Sequence, residues 1–115
     1  MTQDKTVQNG IETLNYRHKT RQRAVGSKPM AIIGVVASGN LEVLVERVLS
    51  NTECEVDIST AAHGFGAVWD AVVSDFVQQR SPGGLKFSIN DGGARPDVVA
   101  LRLSQATRLI EEDDK

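Results

Sequence analysis

A chain of 115 residues has room for one hydrophobic core, which excludes a pair of independently folded domains. Fifteen acidic against 13 basic residues leave a formal net charge of -2, which excludes the strong positive field that would draw in nucleic acid or an anionic membrane; neither partner is expected. A single cysteine, Cys54, excludes an internal disulfide and supplies no pair for a metal centre. No metal ligand set is expected, and the chain reads as one made for the reducing cytoplasm.

Residues 1–10 are polar and without periodicity, and the expectation is a disordered tail. Residues 11–110 form the single domain. Ile11 to His18 alternates as a short strand with Leu14 and Tyr16 on one side. A polar basic link, Lys19 to Arg23, leads to the breakers Gly26, Ser27 and Pro29. Met30 to Ala37 is rich in β formers and reads as a central strand. From Leu41 the alternation is clean: Leu41, Val43 and Val45 on one face, Glu42, Leu44 and Glu46 on the other. Between these runs, Gly39-Asn40 reads as a two-residue hairpin turn, since both residues tolerate positive φ. Ser38 is thereby placed at the lip of a hairpin.

Cys54, Val56 and Ile58 alternate in a further strand, after which the period changes. Phe65, Val68, Trp69, Val72, Val73, Phe76 and Val77 recur at helical spacing, and the helix stops before Ser81-Pro82-Gly83-Gly84. Leu85, Phe87 and Ile89 return to strand alternation. Asn90-Asp91-Gly92-Gly93 is a turn, and Pro96 suits the first position of a last helix whose buried stripe is Val99, Leu103, Ala106 and Ile110. The acidic end, residues 111–115, is expected to fray, because negative charge at a helix C-terminus opposes the macrodipole. The order β-β-β-β-α-β-α predicts a two-layer α+β domain, an antiparallel sheet covered on one face by two helices.

Three chemistries are open to these residues. Ser38 as a nucleophile needs a base such as His18 or His63 and a strained elbow of G-x-S-x-G type; the elbow is absent, so no catalytic residue is assigned. The cluster Arg17, His18, Lys19, Arg21, Arg23 and Lys28 could grip a phosphate or an acidic partner, although charge runs usually face water, and Tyr16 is the one aromatic nearby. Ser38 as an attachment point is physically sensible, since Ala37 and Gly39 leave room for a bulky phosphodiester. Turn chemistry alone does not separate that role from an ordinary Ser-Gly-Asn turn.

Two separated motifs carry a resemblance. Ala37-Ser38-Gly39-Asn40-Leu41-Glu42-Val43-Leu44 is followed by Ile89-Asn90-Asp91-Gly92-Gly93-Ala94-Arg95-Pro96 and then by Val98-Val99-Ala100-Leu101-Arg102-Leu103-Ser104-Gln105-Ala106. With Glu12-Thr13-Leu14-Asn15-Tyr16 ahead of them, these residues resemble the acyl carrier (delta) subunit of malonate decarboxylase from about Ile11 to about Ile110. Three positions depart from the family pattern: Ala37 stands where Gly is common, Asn40 where Asp is common, and Arg95 where a small Thr is usual.

The resemblance implies a non-catalytic carrier subunit. It implies that Ser38 bears a 2'-(5''-phosphoribosyl)-3'-dephospho-coenzyme A arm through a phosphodiester, with Gly39 and Asn40 forming the turn. It further implies that the arm carries acetyl and malonyl thioesters between transferase and decarboxylase subunits, and that a prosthetic-group transferase installs it. Helical phosphopantetheine carriers place Leu directly after the Ser, whereas Gly39 and Asn40 intervene here. The alternatives are a citrate lyase gamma-type carrier, which uses the same group, and a non-enzymatic binding module built on the basic patch.

Overall fold

The computed structural model describes residues 2–8 and 10–112 of the chain. It is a two-layer α+β fold, as the alternation and the two helical stretches require. The elements are β1 (Thr2–Gln8), β2 (Ile11–Lys19), β3 (Met30–Gly34), β4 (Leu41–Arg47), β5 (Glu53–Thr60), α1 (Gly66–Arg80), β6 (Leu85–Asp91) and α2 (Pro96–Glu111). The strands lie in the order β1-β2-β5-β6-β4-β3.

The inward residues of β2, β4, β5 and β6 are those the period of two selects. Leu14, Tyr16, Leu41, Val43, Val45, Val56, Ile58, Leu85, Phe87 and Ile89 are all buried. Helix α1 lays Trp69, Val73, Phe76 and Val77 on this face, and α2 adds Val99, Leu103, Ala106 and Ile110. Phe76 meets Phe87 edge-on, with ring centroids 5.3 Å apart. Each such aliphatic or aromatic side chain contributes about 1.5–3 kcal/mol on burial, and together they hold helices to sheet.

Four expectations are corrected. Within the stretch expected as a loose tail, Thr2–Gln8 is a strand paired antiparallel with β2, from Thr2 opposite Arg17 to Gln8 opposite Ile11. Main-chain hydrogen bonds to a waiting strand edge need no hydrophobic period, so side-chain patterning gave no sign of it. The sheet is antiparallel in its other hairpin-like pairings, but β5 and β6 run parallel. Helix α1 connects them, and a crossover helix returns the chain in the same direction.

The run expected at Met30 to Ala37 ends at Gly34 and lies at the sheet edge, not its centre. Gly34 takes φ 84°, which turns the backbone out of the ladder, and the Val35 N–H instead donates to the Leu41 carbonyl at 3.1 Å. The link from β3 to β4 is therefore a six-residue loop, Val35 to Asn40, rather than a two-residue hairpin. At the other end, α2 holds through Glu111; Glu112 leaves it extended, and residues 113–115 lie outside the described residues.

Candidate functional site: the Ser38 turn

Ser38 is exposed, as are its neighbours Ala37 and Gly39. The Asn40 N–H donates to the Ala37 carbonyl at 2.9 Å, and Gly39 takes φ 75°. A positive φ at the third residue of a four-residue turn is the type II pattern, which leaves the second residue, Ser38, at the apex. Among the described residues its hydroxyl takes no hydrogen bond.

The turn is fastened from two sides. The Gly39 N–H donates to the Gly92 carbonyl at 3.2 Å, and the Gly92 N–H donates to the Asn40 carbonyl at 2.9 Å. Gly92 is required by contact: a Cβ there would sit 2.2 Å from the Ala37 carbonyl oxygen. The Asn40 side chain accepts from the Leu41 N–H at 2.8 Å and from Arg102 Nε at 3.4 Å, which ties the turn to α2. Asn therefore keeps the acceptor through which an Asp would serve here.

Behind Gly92, Asp91 is buried and organises the next turn. Its Oδ2 accepts from Thr60 Oγ1 at 2.8 Å and from the Gly93 N–H at 3.0 Å, and its Oδ1 accepts from the Ala94 N–H at 2.9 Å. An Asp that caps its own downstream N–H groups is the Asx-turn arrangement. The Asp-Gly-Gly sequence signalled a turn; that this turn grips the Ser38 loop was not visible in it. Arg95 lies outside, its exposed side chain 3.4 Å from Asp97.

The two histidines stand elsewhere. His18 lies on β2, with β5 and β6 between it and β4, and partial burial lowers its pKa from the usual imidazole value. His63 contacts the Gly10 carbonyl at 2.6 Å through Nε2. Neither is bonded to Ser38, so the nucleophile–base pair weighed from the sequence is not assembled.

The basic cluster is divided: His18, Lys19 and Arg21 stay together beside Gln78 and Ser81, while the others go to separate partners. Arg17 reaches Glu55 at 3.5 Å on the uncovered face of the sheet, Arg23 folds onto the carbonyls of Ala24 and Gly26, and Lys28 meets Glu112 at 3.8 Å. The residue that organises this link is Arg47. Its guanidinium donates to the carbonyls of Ala24, Val25, Lys28 and Ile110 at 2.7–3.1 Å, strapping the link and the end of α2 to β4. Nothing in the alternation of β4 marked it, because all four acceptors are main-chain oxygens. Burial keeps the remaining nucleophiles quiet: the Cys54 thiol is pushed up to about 12, and Tyr16, which donates to the Gly66 carbonyl at 2.9 Å, likewise to about 12.

Fold and site together define a small α+β domain that presents one hydroxyl on a braced surface turn, with no catalytic constellation around it among the described residues. A sequence profile described as malonate decarboxylase delta subunit (MdcD) matches residues 28–110. The chain is 66% identical over 103 residues to a malonate decarboxylase acyl carrier protein of Bradyrhizobium diazoefficiens, covering 90% of this chain and 98% of that one. It is 50% identical over 104 residues to the protein of the same name from Xanthomonas axonopodis pv. citri, covering 90% and 99%. It superposes with a TM-score of 0.75 and 32% identity on a chain of a crystal structure of a Pseudomonas malonate decarboxylase hetero-tetramer in complex with malonate, covering 85% of this chain and 97% of that one. The chain belongs to the malonate decarboxylase acyl carrier (delta) subunit family. Among the described residues no helix is long and apolar enough to cross a membrane.

Proposed function

We propose that this chain carries acyl groups within a cytoplasmic malonate decarboxylase complex and that Ser38 is where its phosphoribosyl-dephospho-coenzyme A arm joins. The observation that carries this reading is the Ser38 hydroxyl, exposed at the apex of a turn that Gly92, Asn40 and Arg102 hold in place. The surroundings fit a phosphodiester: Ala37 and Gly39 are small and exposed, and substitution on the oxygen pushes nothing into the core. When bound, the group supplies a thiol on a long tether, on which acetyl and malonyl groups travel as thioesters.

The protein's own residues do the positioning. A tether whose origin is fixed raises the effective concentration of its far end at a docked active site to roughly the millimolar range. That benefit requires a rigid origin, which the main-chain bonds between the Ser38 turn and Gly92 provide. With no base bonded to Ser38, its hydroxyl is the acceptor for a prosthetic-group transferase, and the catalytic side chains belong to the transferase and decarboxylase subunits. Family membership favours this reading over the citrate lyase gamma-type carrier. The dispersal of Arg17, Arg23 and Lys28 onto internal partners argues against the basic-patch module.

Intact-mass measurement tests the assignment. Protein matured alongside its transferase is expected to carry one added arm, and Ser38→Ala to carry none while keeping its stability within about 0.5 kcal/mol of the original, as an exposed polar site predicts. An adduct that persists in Ser38→Ala refutes the attachment site.

A further inference from the structure

Between the first turns of α1 and α2, against the 91–95 turn, lies a cleft of about 360 Å³ lined by Phe65, Val68, Trp69, Val72, Ala94 and Val99. Two of these are left open to water in a domain that otherwise buries its aromatics well: Phe65 is 50% and Val68 40% exposed. Apolar side chains held apart around a concave space, with few polar groups, are the usual make-up of a small-molecule site.

We propose that this cleft binds the acetyl-thioester tip of a pantetheine-type arm, its methyl and ethylene groups against the apolar wall and its amides left at the mouth in water, an inference that rests on the reading of Ser38 as the arm's origin. Three observations select this ligand. The one carboxylate of the wall is already used, since the oxygens of Asp91 accept hydrogen bonds from Thr60, Gly93 and Ala94. A nucleotide base would therefore find no free carboxylate to replace the water on its amino and ring N–H groups. The one cation at the rim, Arg95, is exposed and sits against Asp97, so a charged acyl end would be desolvated without a buried partner.

The third observation is continuity. Gly92, which holds the Ser38 turn, lies between two residues of the cleft wall, Asp91 and Gly93. An arm rooted at Ser38 reaches the cleft by folding back over this turn, and its tethering makes a millimolar intrinsic affinity sufficient. The cleft thereby distinguishes a neutral acyl end, which it shelters from water, from a negatively charged one, which it leaves outside for a partner subunit.

Trp69 is the only tryptophan of the chain and lines the cleft, so its fluorescence reports occupancy. The unmodified full chain is titrated with free S-acetylpantetheine and, separately, with S-malonylpantetheine. The acetyl compound is expected to give a saturable change with a dissociation constant at or below roughly 5 mM, the range that tethering makes useful. Val68→Asp is expected to weaken it about tenfold or more, with circular dichroism checking that this exposed-site variant is folded. Arg95→Ala is expected to leave acetyl binding unchanged, and the malonyl compound to bind more weakly than the acetyl one.

Absence of a saturable signal up to about 20 mM, well beyond the tethered concentration, overturns the proposal. So does equal affinity in Val68→Asp, or equal binding of both compounds. Ser38→Ala should bind the free compounds as the original does. A failed cleft is therefore distinguishable from a failed attachment site, which only the mass measurement reads.

Discussion

Gly92→Ala tests how the Ser38 turn is held. The added Cβ would lie 2.2 Å from the Ala37 carbonyl oxygen and 2.8 Å from its carbon. Both distances are far inside van der Waals contact, so the two loops must part by roughly 1 Å. The bonds that join them, Gly39 N–H to Gly92 at 3.2 Å and Gly92 N–H to Asn40 at 2.9 Å, would then exceed hydrogen-bonding range. At about 0.5–1.5 kcal/mol each, their loss costs about 1–3 kcal/mol. Urea unfolding followed by Trp69 fluorescence measures this directly.

A companion variant separates collision from backbone strain. In Gly39→Ala the Cβ meets nothing within 4 Å, but φ is 75°. The expected cost is about 1–2 kcal/mol, from the left-handed conformation alone. Gly92→Ala should also slow installation of the proposed arm on Ser38, because the hydroxyl proposed as its acceptor no longer has one position. A Gly92→Ala protein within about 0.5 kcal/mol of the original, and modified at the same rate, would refute the claim that Gly92 braces the turn.

Three further outcomes follow from burial. Trp69, 5% exposed, should cost about 3–5 kcal/mol when replaced by Ala, read by circular dichroism in urea; a loss under about 1 kcal/mol would mean that α1 packs by another face. Cys54 is buried and its thiol raised to about 12, so the folded, unmodified chain should show no fast reaction with a disulfide reagent at neutral to mildly alkaline pH. Denaturant should release one thiol, and any fast thiol in the folded, matured protein belongs to the arm. His18 has a folded pKa lowered by burial, with Asp70 opposing the shift. The unfolded chain then binds more protons, so this stability is present above the unfolded imidazole pKa and is lost as pH falls from there through the lowered folded value. His18→Gln should flatten the fall in urea midpoint as pH drops below about 6.5, the ordinary histidine pKa; an unchanged slope would assign the loss to other groups.

Local patterning in the sequence determined which residues face inward. Leu41, Val43 and Val45 alternate, as do Leu85, Phe87 and Ile89, and each set is buried as its period of two demands. The helical spacing of Trp69, Val73, Phe76 and Val77, and Pro96 at the start of the last helix, were equally legible. That the chain turns near Ser38 was legible too, because Gly and Asn declare turns through their own backbone preferences, but the six-residue loop in place of a two-residue hairpin was not.

Only the tertiary structure decided which strand neighbours which, that β5 and β6 run parallel, that Met30–Gly34 forms an edge, and that Thr2–Gln8 joins the sheet. It alone placed Gly92 against Ala37, Arg47 over four distant carbonyls, and the cleft against the 91–95 turn. The physical reason is common to all of these. A side chain's period records whether it meets water or core, whereas strand order and loop-to-loop bracing depend on main-chain groups that every residue carries alike, and a cleft wall on side chains far apart in sequence. Their partners are fixed when the chain closes on itself.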